Sequence, residues 1–292
     1  MSAAVSAGRG FSPVAPTTLT RLVCLVIALA VFTVVFGPPR RIAQRFGWRF
    51  GRRIPVLFHR IICAGLGVKV RRHGAFSSAA KQLVVANHVS WLDIPVLGSV
   101  EPVSFLAKKE IGEHAIGCQL VALQGVVYVD RMRRSCIPAV NARMVEAMRA
   151  GSRVVLFAEA TTGDGNRLLR FRSSHFQAIR LAAHGDNEGH AVIQPVYLDY
   201  SRIAGLPLVR LQRPRIAWYG DMTFLPHFFH YARVGGVTCD VHCGAPIHVL
   251  PEMDRKTAAR ATEAAVRELA ARARDGRVAD LASSRCSGSS TR

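Results

Sequence analysis

The chain has 292 residues and carries 39 Lys and Arg against 19 Asp and Glu, a formal charge of +20. That length buries a large core, in one domain with an N-terminal extension, and the charge calls for an anionic partner, either nucleic acid or a membrane surface. The seven cysteines are scattered and odd in number, which argues against a secreted disulfide framework and for a reducing compartment.

In chain order, the first feature is an uncharged apolar run from Leu22 to Phe36, bounded by Arg21 and by Gly37-Pro38-Pro39. A span needs about 20 apolar residues, which the run approaches if Leu19 and Thr20 join it. No small-residue cleavage site follows, so a signal peptide is not indicated. The alternative is a buried core helix. Arg40, Arg41, Arg45, Arg49, Arg52, Arg53 and Arg60 come next, whereas only Arg9 and Arg21 precede. The positive-inside rule then places the C-terminal side in the cytoplasm, with the anchor single-pass or monotopic. Residues 40–53 suit anionic headgroups, at about 1 kcal/mol per cation. Ile54 to Val70 mixes apolar residues with His59 and Arg60 and reads as an interfacial helix. Residues 1–60 thus form a tail, a single anchor and a basic interfacial segment.

Beyond this, strands are predicted at 82–86, 102–107, 126–130, 153–158, 191–198, 214–219 and 237–243, and helices near 93–99, 135–150, 175–184 and 254–274. The alternation predicts an α/β fold, a mostly parallel sheet sandwiched by helices, with an N-terminal membrane-anchoring helix. Asp254 is placed to cap the last helix, and Val266, Leu269, Ala270 and Ala273 give it an apolar stripe. The domain is expected over 61–282, and the Ser-rich residues 283–292 are expected to be disordered. Cys239, His242 and Cys243 lack zinc-knuckle spacing, and Val237 to Gly244 alternates like a strand; no metal and no cofactor is expected.

The chemistry is concentrated in Asn87-His88-Val89-Ser90-Trp91-Leu92-Asp93, directly after the apolar run Leu83-Val84-Val85-Ala86. A histidine followed by a carboxylate can form a base with its orienter: the carboxylate fixes the tautomer, and the free nitrogen takes a proton from a hydroxyl. Ser90-x-x-Asp93 reads as a capping box opening a helix. The bland alternative makes Asp93 only a cap.

Asn-His-x-Ser-x-x-Asp resembles the first motif of the glycerophospholipid acyltransferases, the 1-acylglycerol-phosphate acyltransferase family. Three more blocks follow in the family's order. Gly125-Val126-Val127-Tyr128-Val129-Asp130-Arg131 resembles the glycine–strand–arginine motif. Phe157-Ala158-Glu159-Ala160-Thr161 resembles Phe-Pro-Glu-Gly-Thr with two departures. Val192-Ile193-Gln194-Pro195-Val196 resembles the apolar strand with a proline. The resemblance covers about residues 80 to 200 and implies acyl transfer from a thioester to a lysolipid hydroxyl.

Such a transfer needs the alcohol proton removed and the thioester oxygen stabilised. No Gly-x-Ser-x-Gly elbow is present, so direct attack with His88 as base and Asp93 as orienter is the simpler scheme; backbone amides are the default oxyanion donors. A guanidinium at Arg131 can fork a phosphate or carboxylate, or it is a solvated strand-end arginine. The resemblance implies that Glu159 shapes the acceptor site; otherwise it is an exposed strand-end carboxylate. If the backbone at Ala160 needs a positive φ, alanine is strained there.

The departures bear on the acceptor. After Thr161 the chain has Thr162, where family members that acylate lysophosphatidic acid often carry arginine. Thr161-Thr162-Gly163-Asp164-Gly165-Asn166 and Trp218-Tyr219-Gly220-Asp221-Met222 look more like the bacterial branch acylating lyso-ornithine lipid, with Arg167, Arg170 and Arg172 close by to replace the missing cation. Thr161 and Thr162 join Arg131 and Glu159 as candidate substrate-binding residues. Three readings stand: O-acylation of lyso-ornithine lipid, acylation of 1-acylglycerol-3-phosphate, and a basic nucleic-acid-binding protein. In the first two the expected partners are acyl carrier protein, or coenzyme A, as the donor's carrier, a lysolipid acceptor and an anionic membrane surface, with no nucleic acid. An acidic carrier protein would suit the +20 surface.

Overall fold

A computed structural model describes residues 16–108, 127–129, 136–184, 191–250 and 252–287. Its elements are α1 (Pro16–Arg45), α2 (Ile54–Gly65), β1 (Val68–His73), β2 (Lys81–Ala86), α3 (Asp93–Val100), β3 (Ser104–Lys108), β4 (Val127–Val129), α4 (Ile137–Arg149), β5 (Arg153–Phe157), α5 (Phe176–Ala183), β6 (Ala191–Ile203), β7 (Leu206–Pro207), α6 (Phe224–Ala232), β8 (Val237–Cys243), β9 (Ile247–His248) and α7 (Arg255–Ser287). The strands join in the order β1-β8-β6-β2-β5-β3-β4, with β7 and β9 also on β6. Pairings are parallel except those of β6 with β7, β8 and β9.

All six residues of β2 are buried, as a central parallel strand covered on both faces requires. Its side chains alternate between two cores. Leu83 and Val85 join Met144, Met148, Ile179 and Val266 under α4, α5 and α7. Val84 and Ala86 join Leu92, Leu97, Cys63 and Tyr231 under α2, α3 and α6. The sandwich expected from the alternation is the observed one. Asp254 accepts the amides of Lys256 and Thr257 at 2.7 and 3.2 Å, capping α7.

Several elements differ from expectation. The predicted strand at 214–219 is absent: Arg210–Arg215 is a 3-10 helix containing Pro214. Proline has no N–H for a ladder, and the buried Ile216 and Ala217 supplied the strand-like signal. The interfacial helix expected from Ile54 to Val70 divides at Gly67 (φ 71°) into α2 and the edge strand β1. Moreover, α2 buries Ile54, Pro55, Val56, Phe58, His59 and Cys63; it is a core element, and the expected boundary at residue 60 falls inside it. Helix α6 escaped notice in the sequence. Helix α7 runs to Ser287, past the expected boundary at 282; residues 288–292 lie outside the described residues.

The apolar run is longer than its proline boundary implied. Helix α1 continues through Pro38 and Pro39 to Arg45. Interior prolines cost a helix about 3 kcal/mol, and tertiary contacts hold this segment in place. Arg40 is buried and donates to Gly51 O at 2.7 Å, and Ala43 is so close to Gly51 that a Cβ there would lie 2.6 Å away. At the other end Arg21 donates to Ala232 O at 3.1 Å. Between them, Leu25 fills the space beside Gly65 and Phe32 packs on Phe58. Helix α1 is therefore docked on the domain at both ends. Its free side exposes Leu19, Val23, Val26, Ile27, Val31, Val34 and Val35, and by length and composition it could cross a membrane.

Where α2 crosses α3, His59 is buried and neither ring nitrogen has a hydrogen-bond partner among the described residues. Burial lowers its pKa to about 4. A Cβ on Gly98 would overlap the imidazole, so glycine is required for this close approach. Gly98→Ala is expected to lower stability by about 1–3 kcal/mol through overpacking, and His59→Ala in the same chain should recover part of the loss. Thermal unfolding in detergent measures both; additive losses would mean the two residues do not share a contact.

Candidate active site

The site lies where β2 ends. Asn87 fixes that end against β6: its amide donates to Leu198 O at 3.2 Å, and its oxygen accepts Leu198 N–H at 2.8 Å. The next residue, His88, is held by its backbone as well: Gly163 N–H donates to its carbonyl at 2.8 Å. Its ring stacks on Phe157 with centroids 4.0 Å apart.

His88 and Asp93 meet as expected, Nδ1 to Oδ2 at 2.8 Å. Asp93 is fully buried while the His88 side chain is 20% exposed, so one nitrogen is fixed and the ring is still reachable. The same carboxylate oxygen accepts Val89 N–H at 2.7 Å and Ser90 N–H at 3.0 Å. The other oxygen accepts Tyr200 O–H at 2.7 Å. Half of the expected capping box is present, the Ser90 amide donating to the Asp93 carboxylate; the Ser90 hydroxyl instead accepts Leu92 N–H at 3.4 Å. With four donors the carboxylate is saturated. An Nδ1–H donated to Asp93 leaves the Nε2 lone pair as the basic one.

Glu159 is buried and bridges the site backbone, accepting His88 N–H at 3.3 Å and Leu169 N–H at 3.1 Å. It is not the exposed carboxylate of the bland reading. Burial pushes its carboxyl up to about 7, against the pull of those two donors. Ala160 does adopt a positive φ of 60°, so the expected strain is real. Thr161 is exposed and Thr162 half-buried on the following turn. Arg131 lies outside the described residues.

Two contributors escaped the sequence. Tyr200 carries no local signal, because its role comes from β6 lying beside β2; burial and the neighbouring Asp93 charge keep its phenol protonated far above the usual range. Trp218 was noted only as part of a similar segment. Its amide donates to Val89 O at 2.9 Å, so the coil after the 3-10 helix braces the histidine loop.

Two outcomes follow from this geometry. Ala160→Gly should raise stability by about 1 kcal/mol by removing left-handed strain, read as a higher thermal midpoint with activity retained. For Glu159, the folded carboxyl keeps its proton to higher pH than the unfolded one. Its contribution is fully present below pH 4.5 and is lost as pH rises through about 7, a decline on the order of 3 kcal/mol. Glu159→Gln should flatten that part of the stability–pH curve; an unchanged slope would assign the decline elsewhere.

Residues 67–199 match the family model described as Acyltransferase. The chain is 36% identical over 248 residues to the lyso-ornithine lipid O-acyltransferase of Brucella abortus, covering 85% of this chain and 90% of that one. It is 37% identical over 134 residues to the 1-acyl-sn-glycerol-3-phosphate acyltransferase of Neisseria gonorrhoeae, over 43% of this chain and 51% of that one. In fold it is similar to the crystal structure of the 1-acyl-sn-glycerophosphate acyltransferase of Thermotoga maritima, with a TM-score of 0.60 and 15% identity over 86% of this chain and 94% of that one. The chain belongs to the acyltransferase family and is an O-acyltransferase.

Proposed function

We propose that the chain acylates the hydroxyl of lyso-ornithine lipid, using an acyl thioester as donor, at the cytoplasmic surface of a bacterial inner membrane. The carrying observation is the His88–Asp93 pair, 2.8 Å apart, with the histidine ring reachable from outside. The acceptor hydroxyl donates to His88 Nε2. As its oxygen attacks the thioester carbonyl, the proton passes to Nε2 and Asp93 stabilises the imidazolium. The tetrahedral intermediate then breaks the C–S bond, and the leaving thiolate takes the proton back from His88. The products are the O-acylated lipid and the free thiol.

The choice of acceptor rests on the similarity to the Brucella abortus enzyme over 85% of this chain and on Thr162 standing where a phosphate-binding arginine would otherwise be expected. Acylation of 1-acylglycerol-3-phosphate is the second reading, supported by the shorter match to the Neisseria gonorrhoeae enzyme. Glu159 holds the acceptor-side loop, and Thr161, Thr162 and Arg131 contribute to the acceptor site. Helix α1, docked at both ends, favours a monotopic arrangement: its exposed apolar side enters the membrane and the arginines after Pro39 meet headgroups. Acyl carrier protein is the favoured donor carrier, its acidic surface complementing the basic chain.

Washed membranes from a heterologous host test this directly. Labelled acyl-carrier-protein thioester is supplied with either lysolipid, and His88→Ala serves as the blank. The expected product is ornithine lipid, with turnover lost by at least about 10³-fold in the variant and membrane association unchanged. Persistent turnover in His88→Ala would overturn the mechanism; product from the glycerophosphate acceptor alone would overturn the choice of lipid.

A further inference from the structure

Asn87 and His88 are neighbours on one strand end, and the chemistry on the two faces of the sheet differs there. At the end of β2, between α7 and the 3-10 helix, a cleft is lined by Asn87, Tyr197, Arg167, Arg213, Arg267 and Arg274. Arg267 is paired with Glu263 at 2.9 Å, and Arg213 donates to Gly165 O at 2.7 Å. Arg167 and Arg274 have no carboxylate within ion-pair distance among the described residues. Asp164, on the same loop, accepts the backbone and side-chain N–H groups of Asn166 at 2.9 and 3.1 Å and also interacts with the Arg167 charge. Four guanidinium groups around one cleft, against the carboxylates of Glu263 and Asp164, leave an excess of positive charge suited to an oxyanion, and the planar fork of arginine suits phosphate in particular.

The cleft and the base are joined by one loop: Gly163 holds the His88 carbonyl, and four residues later Arg167 lines the cleft. Arg267 also acts on the Glu159 carboxylate. The two apolar surfaces, the free side of α1 and the exposed Phe224, Leu225 and Phe229 of α6, belong to the layer of α2, α3 and α6. Arg267 and Arg274 stand on α7, in the layer away from those surfaces, so the acceptor lipid arrives from the side opposite these two arginines. From this we propose that the cleft binds the phosphate of the donor's phosphopantetheine arm, which carries the thioester in acyl carrier protein and in coenzyme A alike. The proposal rests on the thioester-donor reading above. The arm crosses the end of β2, its phosphate among Arg167, Arg213 and Arg274 and its thioester beside His88.

The test uses the full chain in detergent, titrated with 4′-phosphopantetheine and with phosphate-free pantetheine. Phosphopantetheine should bind at least about 10-fold more tightly than pantetheine, in line with charge-assisted bidentate pairing. The variant Arg274→Gln, remote from the acceptor motifs, should narrow that difference and raise the donor KM about 10-fold, with the lysolipid KM unchanged. A shift in the lysolipid KM alone would give the cleft to the acceptor's carboxylate or phosphate and overturn the proposal. Equal binding of the two pantetheines would overturn it as well. Arginine-dependent phosphopantetheine binding in a chain that acylates neither lysolipid would uphold the cleft and discard the acceptor assignment.

Discussion

A single buried carboxylate organises this enzyme. Asp93 has no exposure and four hydrogen-bond donors: the His88 ring, two backbone amides and the Tyr200 hydroxyl. Leaving any one of these groups unpaired in the interior costs about 1–3 kcal/mol, so the arrangement is mutually enforcing. The carboxylate draws together the end of β2, the start of α3 and the middle of β6. His88 is consequently fixed by the same contacts that hold the central sheet, and the geometry of the pair is as rigid as the core.

What could be read from the sequence follows from how local each signal is. Central strands were legible because burial on both faces makes continuous apolar runs such as Leu83 to Ala86. The His88–Asp93 pair was legible because both members sit on one turn, five residues apart, where local geometry decides contact. Tyr200 was not, since it reaches Asp93 only through the pairing of β2 with β6, 107 residues further along the chain. The strand expected at 214–219 failed for a related reason. Ile216 and Ala217 are buried by tertiary packing of a coil, and apolar pattern alone cannot separate that from a strand. The prolines of α1 misled in the opposite direction, because a helix end is a local rule that the buried Arg40 overrides.

The third block shows how a departure is accommodated. Ala160 keeps the left-handed conformation that glycine would adopt freely. The turn is held by Glu159, which binds the amides of His88 and Leu169 on either side of it. Two hydrogen bonds to one buried carboxyl thus sustain about 1–3 kcal/mol of backbone strain. The loop that carries Thr161 and Thr162 is shaped as much by this side chain as by its own backbone preferences.

The docking of α1 also sets an order of events during synthesis. Arg21 is made early, yet its partner carbonyl, Ala232, lies 211 residues later. At about 5–20 residues per second, the helix waits on the order of 10–40 s before its contact exists. Its contacts with Gly51, Phe58 and Gly65 are close in sequence and are available far sooner. The C-terminal half of α1 can therefore seat on α2 first, and its N-terminal end closes onto the domain only when α6 has been made. Completion of the α1 docking is then a late step, set by the distance in sequence between two groups that end up 3.1 Å apart.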